Sequence, residues 1–469
     1  MKLVYNNIIF LAISLMVTSC SLSKKQSTNE ADIKEAHKIE LVVLDPAHFH
    51  ASLLQKDTLT DINDTVRIYA PEGIGVAQYL KSIDSYNQRT KTPTSWVKEV
   101  YIGNDYLSQM LAGHQGDVVV LAGNNQKKTQ YIIESIKAGY NVLADKPLAI
   151  NRQDFKQLIE AYQMAKAKNL LIYDLMTERY DILNIIEKEL LHQKGLFGNL
   201  LNGSPDHPAV IMESVHHFFK NVSGKPLIRP AWYYDVAQQG EGIADVTTHL
   251  IDLVQWQCFP EERIQYQSDV KVISAQHWAT RITLPEFSRS TQLDSFPSYL
   301  HKYIKNNVLE VQANGMLNFT IKDIHIKMKV IWNHTPPTNG GDIFTSIKKG
   351  SKATLKIVQD KDNDFIKQLY IQKEINIDNS IFETRLQEVI RQLQSRYPFL
   401  SVKKEGNGLY LIDIPQKNRS EHEKHFSKVA KTFFHYLRNQ NIPEWENENT
   451  ISKYYITTTA VEMAQKEDK

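Results

Sequence analysis

The stretch Asp117-Val118-Val119-Val120-Leu121-Ala122, closed by Gly123-Asn124-Asn125, decides how this chain folds. An unbroken apolar run of this length, ended by turn residues, reads as a strand buried on both faces, as in a parallel sheet covered by helices on either side. Downstream, Gln126 to Ala138 carries Tyr131, Ile132 and Ile136 at helical spacing, and Gly139 stands where a left-handed C-cap belongs, so a crossover helix is predicted. Asn141-Val142-Leu143-Ala144 returns as a strand, Phe155 to Ala165 is a second amphipathic helix, and Leu170-Leu171-Ile172-Tyr173 is another strand. Upstream, Ile39 to Leu44 and Val66 to Tyr69 read as two more buried strands. Repeated β-α-β units with right-handed crossovers give a doubly wound parallel sheet, which binds ligands beyond the carboxyl ends of its strands.

After Tyr180 the pattern changes. A helix is expected near Ile182 to Gln193, and alternating segments at Val308 to Gln312, Met316 to Ile321 and His325 to Ile331 read as antiparallel strands. The predicted fold is therefore an α/β Rossmann domain over residues 39–180, then an α+β domain with an open, mainly antiparallel sheet over residues 181–374. Residues 375–469 form a C-terminal α/β extension, with helices near Phe382 to Ser395 and Glu421 to Arg438 flanking a strand at Gly408 to Ile414. The length of 469 residues requires more than one core. A formal charge of +2 spread along the chain leaves no nucleic-acid groove, so small neutral or anionic ligands are the expected partners.

The first residues are read as processing. Lys2 precedes an apolar stretch from Ile8 to Val17, too short to span a bilayer. It ends in Val17-Thr18-Ser19-Cys20, which resembles a bacterial lipobox, so residues 1–20 read as a lipoprotein signal peptide and residues 21–38 as a tether. Cys20 would then hold the chain to the cell envelope through lipid, on an extracytoplasmic and more specifically periplasmic face. The competing reading is an ordinary cleaved signal with an incidental cysteine. The only other cysteine is Cys258, so acylation of Cys20 leaves no intramolecular disulfide.

A Rossmann turn ordinarily carries Gly-x-Gly-x-x-Gly so that backbone can approach a pyrophosphate. Here the turn is Asp45-Pro46-Ala47-His48-Phe49-His50-Ala51, with Asp45, Ala47 and His50 in the glycine slots. Ala47, His48 and Phe49 are candidates to face a cofactor; the alternative is a structural turn without phosphate contact. Glu72, just past the second strand, suits ribose hydroxyls and would favour NAD over NADP; it reads equally as a solvated loop carboxylate.

Two further elements carry chemistry. Asp145-Lys146-Pro147 follows a strand and sets an ammonium at the carboxyl edge of the sheet, where it can polarise a hydroxyl or carbonyl oxygen; alone, the tripeptide is more often a solvated loop. Gly240-Glu241-Gly242 leads into Asp245, His249 and Asp252, which on a helix share one face. A histidine oriented by a carboxylate can take a proton from a hydroxyl, although a buried histidine with helix-stabilising partners has the same signature. His216 and His217 could ligate a metal with Asp245 or Asp252, but adjacent residues of a strand face opposite sides, and no metal is expected.

Together these residues resemble the glucose-fructose oxidoreductase-like dehydrogenases, which include inositol dehydrogenases. In that family the sheet ends in Glu-Lys-Pro and a later glycine-rich segment enters Asp-x-x-x-His on a helix; here Asp145 replaces the Glu, while Lys146, Asp245 and His249 match. The resemblance covers about Ile39 to Asp360. It implies a nicotinamide cofactor, NAD or NADP, contacted by Asn124, Asn125, Asp145, Lys146 and Arg179, the last within Met176-Thr177-Glu178-Arg179-Tyr180. Lys146, His249 and Asp245 take the catalytic roles. Glu213 to His217 and Arg229-Pro230-Ala231-Trp232 resemble a subgroup of oxidoreductases with its own C-terminal domain. Glu178, His217, Arg229, Trp232 and Asp252 are the candidate substrate contacts. Arg229 and Trp232 could hold and stack on a sugar ring, or equally serve as an interdomain ion pair and a core aromatic. The implied activity is oxidation of a sugar or polyol hydroxyl with a tightly retained cofactor. Glycoside cleavage by transient oxidation and elimination, or sugar binding without catalysis on a degenerate fold, are the alternatives. Exposed strands of the open sheet allow a homo-oligomer.

Overall fold

The computed structural model of the protein describes residues 38–222, 225–338 and 340–467. The signal peptide, Cys20 and the tether through residue 37 lie outside the described residues.

The first body is a six-stranded parallel sheet built from β1 (Ile39–Leu44), β2 (Ile62–Ala70), β3 (Val97–Ile102), β4 (Val118–Leu121), β5 (Asn141–Ala144) and β6 (Ile172–Asp174). The strand order is β3-β2-β1-β4-β5-β6, reversing direction between β1 and β4, and that switch point is where ligands enter such sheets. All four residues of β4 are buried, as an apolar run covered on both faces requires. Around the sheet pack α1 (His50–Leu53), α2 (Ile74–Gln88), α3 (Tyr106–Gly113), α4 (Lys128–Lys137) and α5 (Arg152–Lys168). The helix after β4 ends where expected, with Gly139 at φ +93. Its successor α5 outruns the apolar periodicity because Asn151 caps its start by accepting from the Asp154 N–H, and Asn169 ends it in a left-handed conformation. Strand β3 escaped the periodicity argument because it lies at the sheet edge, where Val97, Val100 and Ile102 remain exposed between polar neighbours.

The second body begins with α6 (Ile182–Leu191) and β7 (Val210–His217), followed by a short ribbon of β8 (Asn221–Val222) and β9 (Lys225–Pro226). Helices α7 (Val236–Gln239), α8 (Gly242–Asp245) and α9 (Thr247–Cys258) precede β10 (Val270–Thr283) and α10 (Leu284–Thr291). The strands continue with β11 (Ile304–Lys305), β12 (Val308–Ile321), β13 (Ile324–Asn333), β14 (Ile343–Lys349), β15 (Ala353–Gln359) and β16 (Gln368–Lys373). After α11 (Asn379–Gln394) come β17 (Ser401–Gly406), β18 (Leu409–Asp413), α12 (His422–Asn439) and α13 (Glu444–Glu467). One mixed sheet runs β10-β12-β13-β7-β14-β15-β16-β18-β17, antiparallel throughout except for the parallel pairing of β13 with β7. The two segments expected at Val308 to Gln312 and Met316 to Ile321 are one strand, β12. It stays continuous because Gly315 leaves room for Ile243: a Cβ there would lie 2.2 Å from Ile243 Cγ1. Gly242 likewise would place a Cβ 1.8 Å from the Ala313 carbonyl oxygen, so α8 rests directly on β12 and fixes where Asp245 points.

The C-terminal segment is woven into both bodies rather than standing apart from them. Its strands β17 and β18 complete the large sheet. Its helix α12 sends Phe426, Val429, Ala430 and Phe433 into the core formed with β1 and β2. Helix α13 gives Tyr454 to the Rossmann core and Ile456, Ala460 and Val461 to the second. A helix that buries several sides between two bodies lacks a single apolar stripe, which is why periodicity did not announce it. Among the described residues no helix is long and apolar enough to cross a membrane.

Candidate active site

The carboxyl edge of the parallel sheet opens onto a cleft of about 530 Å³ between the two bodies. Ala47, Glu72, Asn124 and Trp232 line it together with Gly73-Ile74-Gly75 and Lys127, which sequence reading had not singled out. Glycine reappears here one turn later than expected. A Cβ at Gly75 would lie 2.8 Å from Ala47 Cα, and one at Gly123 would lie 2.3 Å from the Asp45 carbonyl oxygen, so both glycines permit close approach of the loops that floor the cleft. Asp45, which holds the first glycine slot, takes a left-handed φ of 48 and accepts a 2.9 Å hydrogen bond from Tyr131 Oη. Burial raises its pKa. With the carboxylate of Glu72 and the ammonium of Lys127 lining the cleft over a floor where glycines let the backbone approach, the residues present fit a dinucleotide.

Not every predicted cofactor contact faces that cleft. Asn125 donates 2.8 Å to the Gln239 carbonyl and accepts 2.6 Å from Lys128 Nζ, so it ties α7 to the Rossmann edge. Asn124 donates 2.6 Å to Gln238 Oε1 while remaining at the cleft wall. Asp145 turns inward: its Oδ2 lies 2.9 Å from His50 Nδ1 and 3.4 Å from His48 Nδ1. Arg179 is corrected outright. It is buried, bidentate to Asp252 at 2.7 and 2.7 Å and bonded to Glu446 at 2.6 Å, so it serves the interior and leaves no donor fork for a ligand.

Lys146, Asp245 and His249, expected to be catalytic, lie near one another, with one change of partners. Lys146 Nζ donates to Asp245 Oδ1 in a buried ion pair joining the loop after β5 to α8. Burial opposes both charges, but the surrounding charges together prevail: the Lys146 pKa is raised, with Asp245 the largest favourable partner, and the Asp245 pKa is lowered, with Lys146 the largest. His249 was expected to be oriented by Asp245. That carboxylate goes instead to Lys146, and His249 Nδ1 is buried without a hydrogen-bond partner. Burial first and the Lys146 ammonium second push the His249 pKa down to about 4, so the imidazole is neutral at neutral pH.

The predicted substrate contacts divide. Trp232 stands at the cleft. Glu178 is paired with Lys367 at 3.4 Å and lies 3.7 Å from His422; burial opposes its charge, but its pKa is lowered, chiefly by the Lys367 ammonium. Asp252 is locked by Arg179 and by Lys453 at 3.1 Å, and is therefore part of the buried frame. Arg229 donates to the Phe218 and His217 carbonyls at 2.6 and 3.1 Å under the rings of Tyr233 and Trp332, which leaves it structural. His217 is buried against Asp342 at 3.0 Å, and His216 Nδ1 also comes within 3.7 Å of Asp342 because β7 ends there; their expected divergence is lost. Two residues that sequence reading passed over, His422 and His425 of α12, reach this edge, with His422 Nε2 3.1 Å from Thr177 Oγ1. Their three-residue spacing on a helix was the available signal.

A doubly wound sheet with a dinucleotide-sized cleft at its switch point, and a lysine, carboxylate and neutral imidazole at its edge, defines an NAD(P)-dependent oxidoreductase. Comparison of the sequence with protein families gives a match to "Oxidoreductase family, NAD-binding Rossmann fold" over residues 70–173 and to "Putative oxidoreductase C terminal domain" over residues 186–465. The chain belongs to the oxidoreductase family defined by that C-terminal domain. Its fold superposes on a putative oxidoreductase from Parabacteroides merdae with 45% identity and a TM-score of 0.90, covering 92% of this chain and 98% of that one. At 10% identity it shares the fold, with a TM-score of 0.55, of biliverdin reductase from Synechocystis solved with biliverdin and NADP+, over 91% of this chain and 99% of that one. A 3-ketoreductase from Actinomadura kijaniata solved with NADP, 11% identical with a TM-score of 0.53, is similar over 91% and 98% of the two chains. No curated protein matches the sequence.

Proposed function

We propose that this oxidoreductase removes hydride from a sugar or polyol hydroxyl in the cleft between its two bodies. The observation that carries the reading is the buried Lys146–Asp245 pair beside a neutral, unpartnered His249 at the sheet edge. When bound, the nicotinamide supplies the hydride acceptor. Lys146 keeps its positive charge and stabilises the oxygen as it becomes a carbonyl. His249, already neutral, takes the hydroxyl proton. Asp245 holds Lys146 in place and offsets its charge. Trp232, which lines the same cleft as Ala47, offers a flat apolar face against which a sugar ring stacks. Glu72 at the ribose position favours NAD.

The apolar Ile8 to Val17 stretch and Cys20 support export and lipid anchoring at the periplasmic face, where a soluble nicotinamide pool is not assured. The cofactor is therefore held through the cycle, one hydroxyl being oxidised and a carbonyl reduced. Screening the purified chain against sugars and polyols for nicotinamide reduction tests the proposal. Substrate-dependent absorbance that Lys146→Ala and His249→Ala both abolish supports it; turnover unchanged in both variants sinks it.

A further inference from the structure

The turn that lacks the Rossmann glycines carries a different set of donors. His48 Nδ1 and His50 Nδ1 both point to Asp145 Oδ2, at 3.4 and 2.9 Å, and the three donor atoms all lie within 4.8 Å of one another. A tetrahedral ion with bonds of roughly 2.0–2.1 Å places its ligand atoms roughly 3.4 Å apart; the His48–Asp145 separation matches that, and the His50–Asp145 one is shorter. A hydrogen bond from His50 to Asp145 accounts for one imidazole only. His48 Nδ1 is buried and lacks the alignment for a hydrogen bond, an orphaned polar atom aimed at a carboxylate that is itself buried.

We propose that His48, His50 and Asp145 bind a divalent transition-metal ion of the zinc type at the carboxyl edge of the sheet. Two imidazoles and one carboxylate suit Zn²⁺, Co²⁺ or Fe²⁺ rather than Mg²⁺ or Ca²⁺, which prefer all-oxygen shells. The surroundings hold the donors in place. The His50 ring packs on Phe426 of α12 at 4.6 Å, and the Asp145 carbonyl accepts 2.8 Å from Lys128 Nζ. Lys146, the next residue along the chain, is paired with Asp245 instead. Three protein ligands leave at least one position for oxygen: water, or an oxygen of a molecule in the cleft. The donors come from the loops after β1 and β5, so the ion would fasten the altered turn to the loop that carries Lys146. The site stands on these three residues and does not depend on the sugar reading.

The tag-free full chain, stripped with chelator and dialysed against Zn²⁺ and separately Co²⁺, tests this by elemental mass spectrometry and visible absorbance. One equivalent per chain is expected, with the ligand-field bands of four-coordinate Co²⁺. His48→Ala and Asp145→Asn should each weaken binding by at least about 100-fold, beyond the roughly 10- to 100-fold typical of outer-shell changes. His301→Ala, an exposed histidine elsewhere, should bind as the parent does. Near-UV circular dichroism confirms that each variant is folded; if one is not, the other decides. No stoichiometric metal in the parent, or equal binding in both folded ligand variants, overturns the proposal.

Discussion

Removing one member of the Lys146–Asp245 pair should be far worse for stability than removing both. The side chains are 14% and 5% exposed, so either charge left alone is a buried ion without its counter-ion. Breaking such a pair costs about 3–5 kcal/mol, whereas replacing both partners with apolar groups of similar volume is often neutral or even stabilising. Lys146→Met and Asp245→Leu should each lower the free energy of unfolding in urea at pH 7.5 by about 3–5 kcal/mol. The double variant should lose less than either, giving a coupling energy of several kcal/mol. At that pH both charges are in force. The lowered Asp245 pKa contributes stability above its unfolded value of 3.8, lost as pH falls through the folded value. The raised Lys146 pKa contributes below 10.5, lost as pH rises through its folded value. Activity should behave differently, falling on the order of 100- to 1000-fold in both single variants and in the double, because the cation is needed at the reacting oxygen. Additive stability losses in the double variant would refute the idea that the two charges exist for one another.

Other consequences follow from the same geometry. Burial drives His249 and His425 to pKa values of about 4 and His50 to about 3, from 6.5 unfolded; the stability of these neutral rings is complete above about pH 6.5 and drains away as pH falls toward 4. Urea unfolding across that range should show the decline, and His249→Gln should flatten it; an unchanged slope would mean the ring is solvated. Gly242→Ala puts a Cβ 1.8 Å from the Ala313 oxygen and should destabilise by about 3 kcal/mol or more in the same assay, a smaller loss meaning that α8 can slide on β12. Glu72→Ser should shift the ratio of NADP to NAD affinity upward by about tenfold in titration calorimetry, since a carboxylate beside the ribose repels the 2′-phosphate; an unchanged ratio would place Glu72 off the ribose.

Much of this molecule was legible beforehand because its signals are local. The β4 run, the Gly139 stop and the two short motifs Asp145-Lys146-Pro147 and Asp245 to His249 are each read from neighbouring residues, and the doubly wound parallel sheet follows from the first two. What failed to show was set at long range. Arg179 and Asp252 were read as ligand contacts because nothing near them in sequence reveals that Glu446 and Lys453 of α13 arrive to neutralise them. Arg229 was read as a substrate contact or an interdomain ion pair because its actual acceptors are main-chain carbonyls, which carry no sequence signature. The pairing of Asp245 with Lys146 in place of His249 is of the same kind: helical spacing brings Asp245 and His249 near one another, but a lysine 99 residues from Asp245 takes its carboxylate.

The most direct test of the account is mass spectrometry and absorbance of whatever small molecule the purified protein releases on denaturation, followed by calorimetric titration of the emptied protein with NAD and NADP. The account predicts a released nicotinamide dinucleotide, or binding of an added one that Gly123→Val abolishes by driving a side chain into the cleft floor. Nothing released, and no affinity for either dinucleotide, would contradict it.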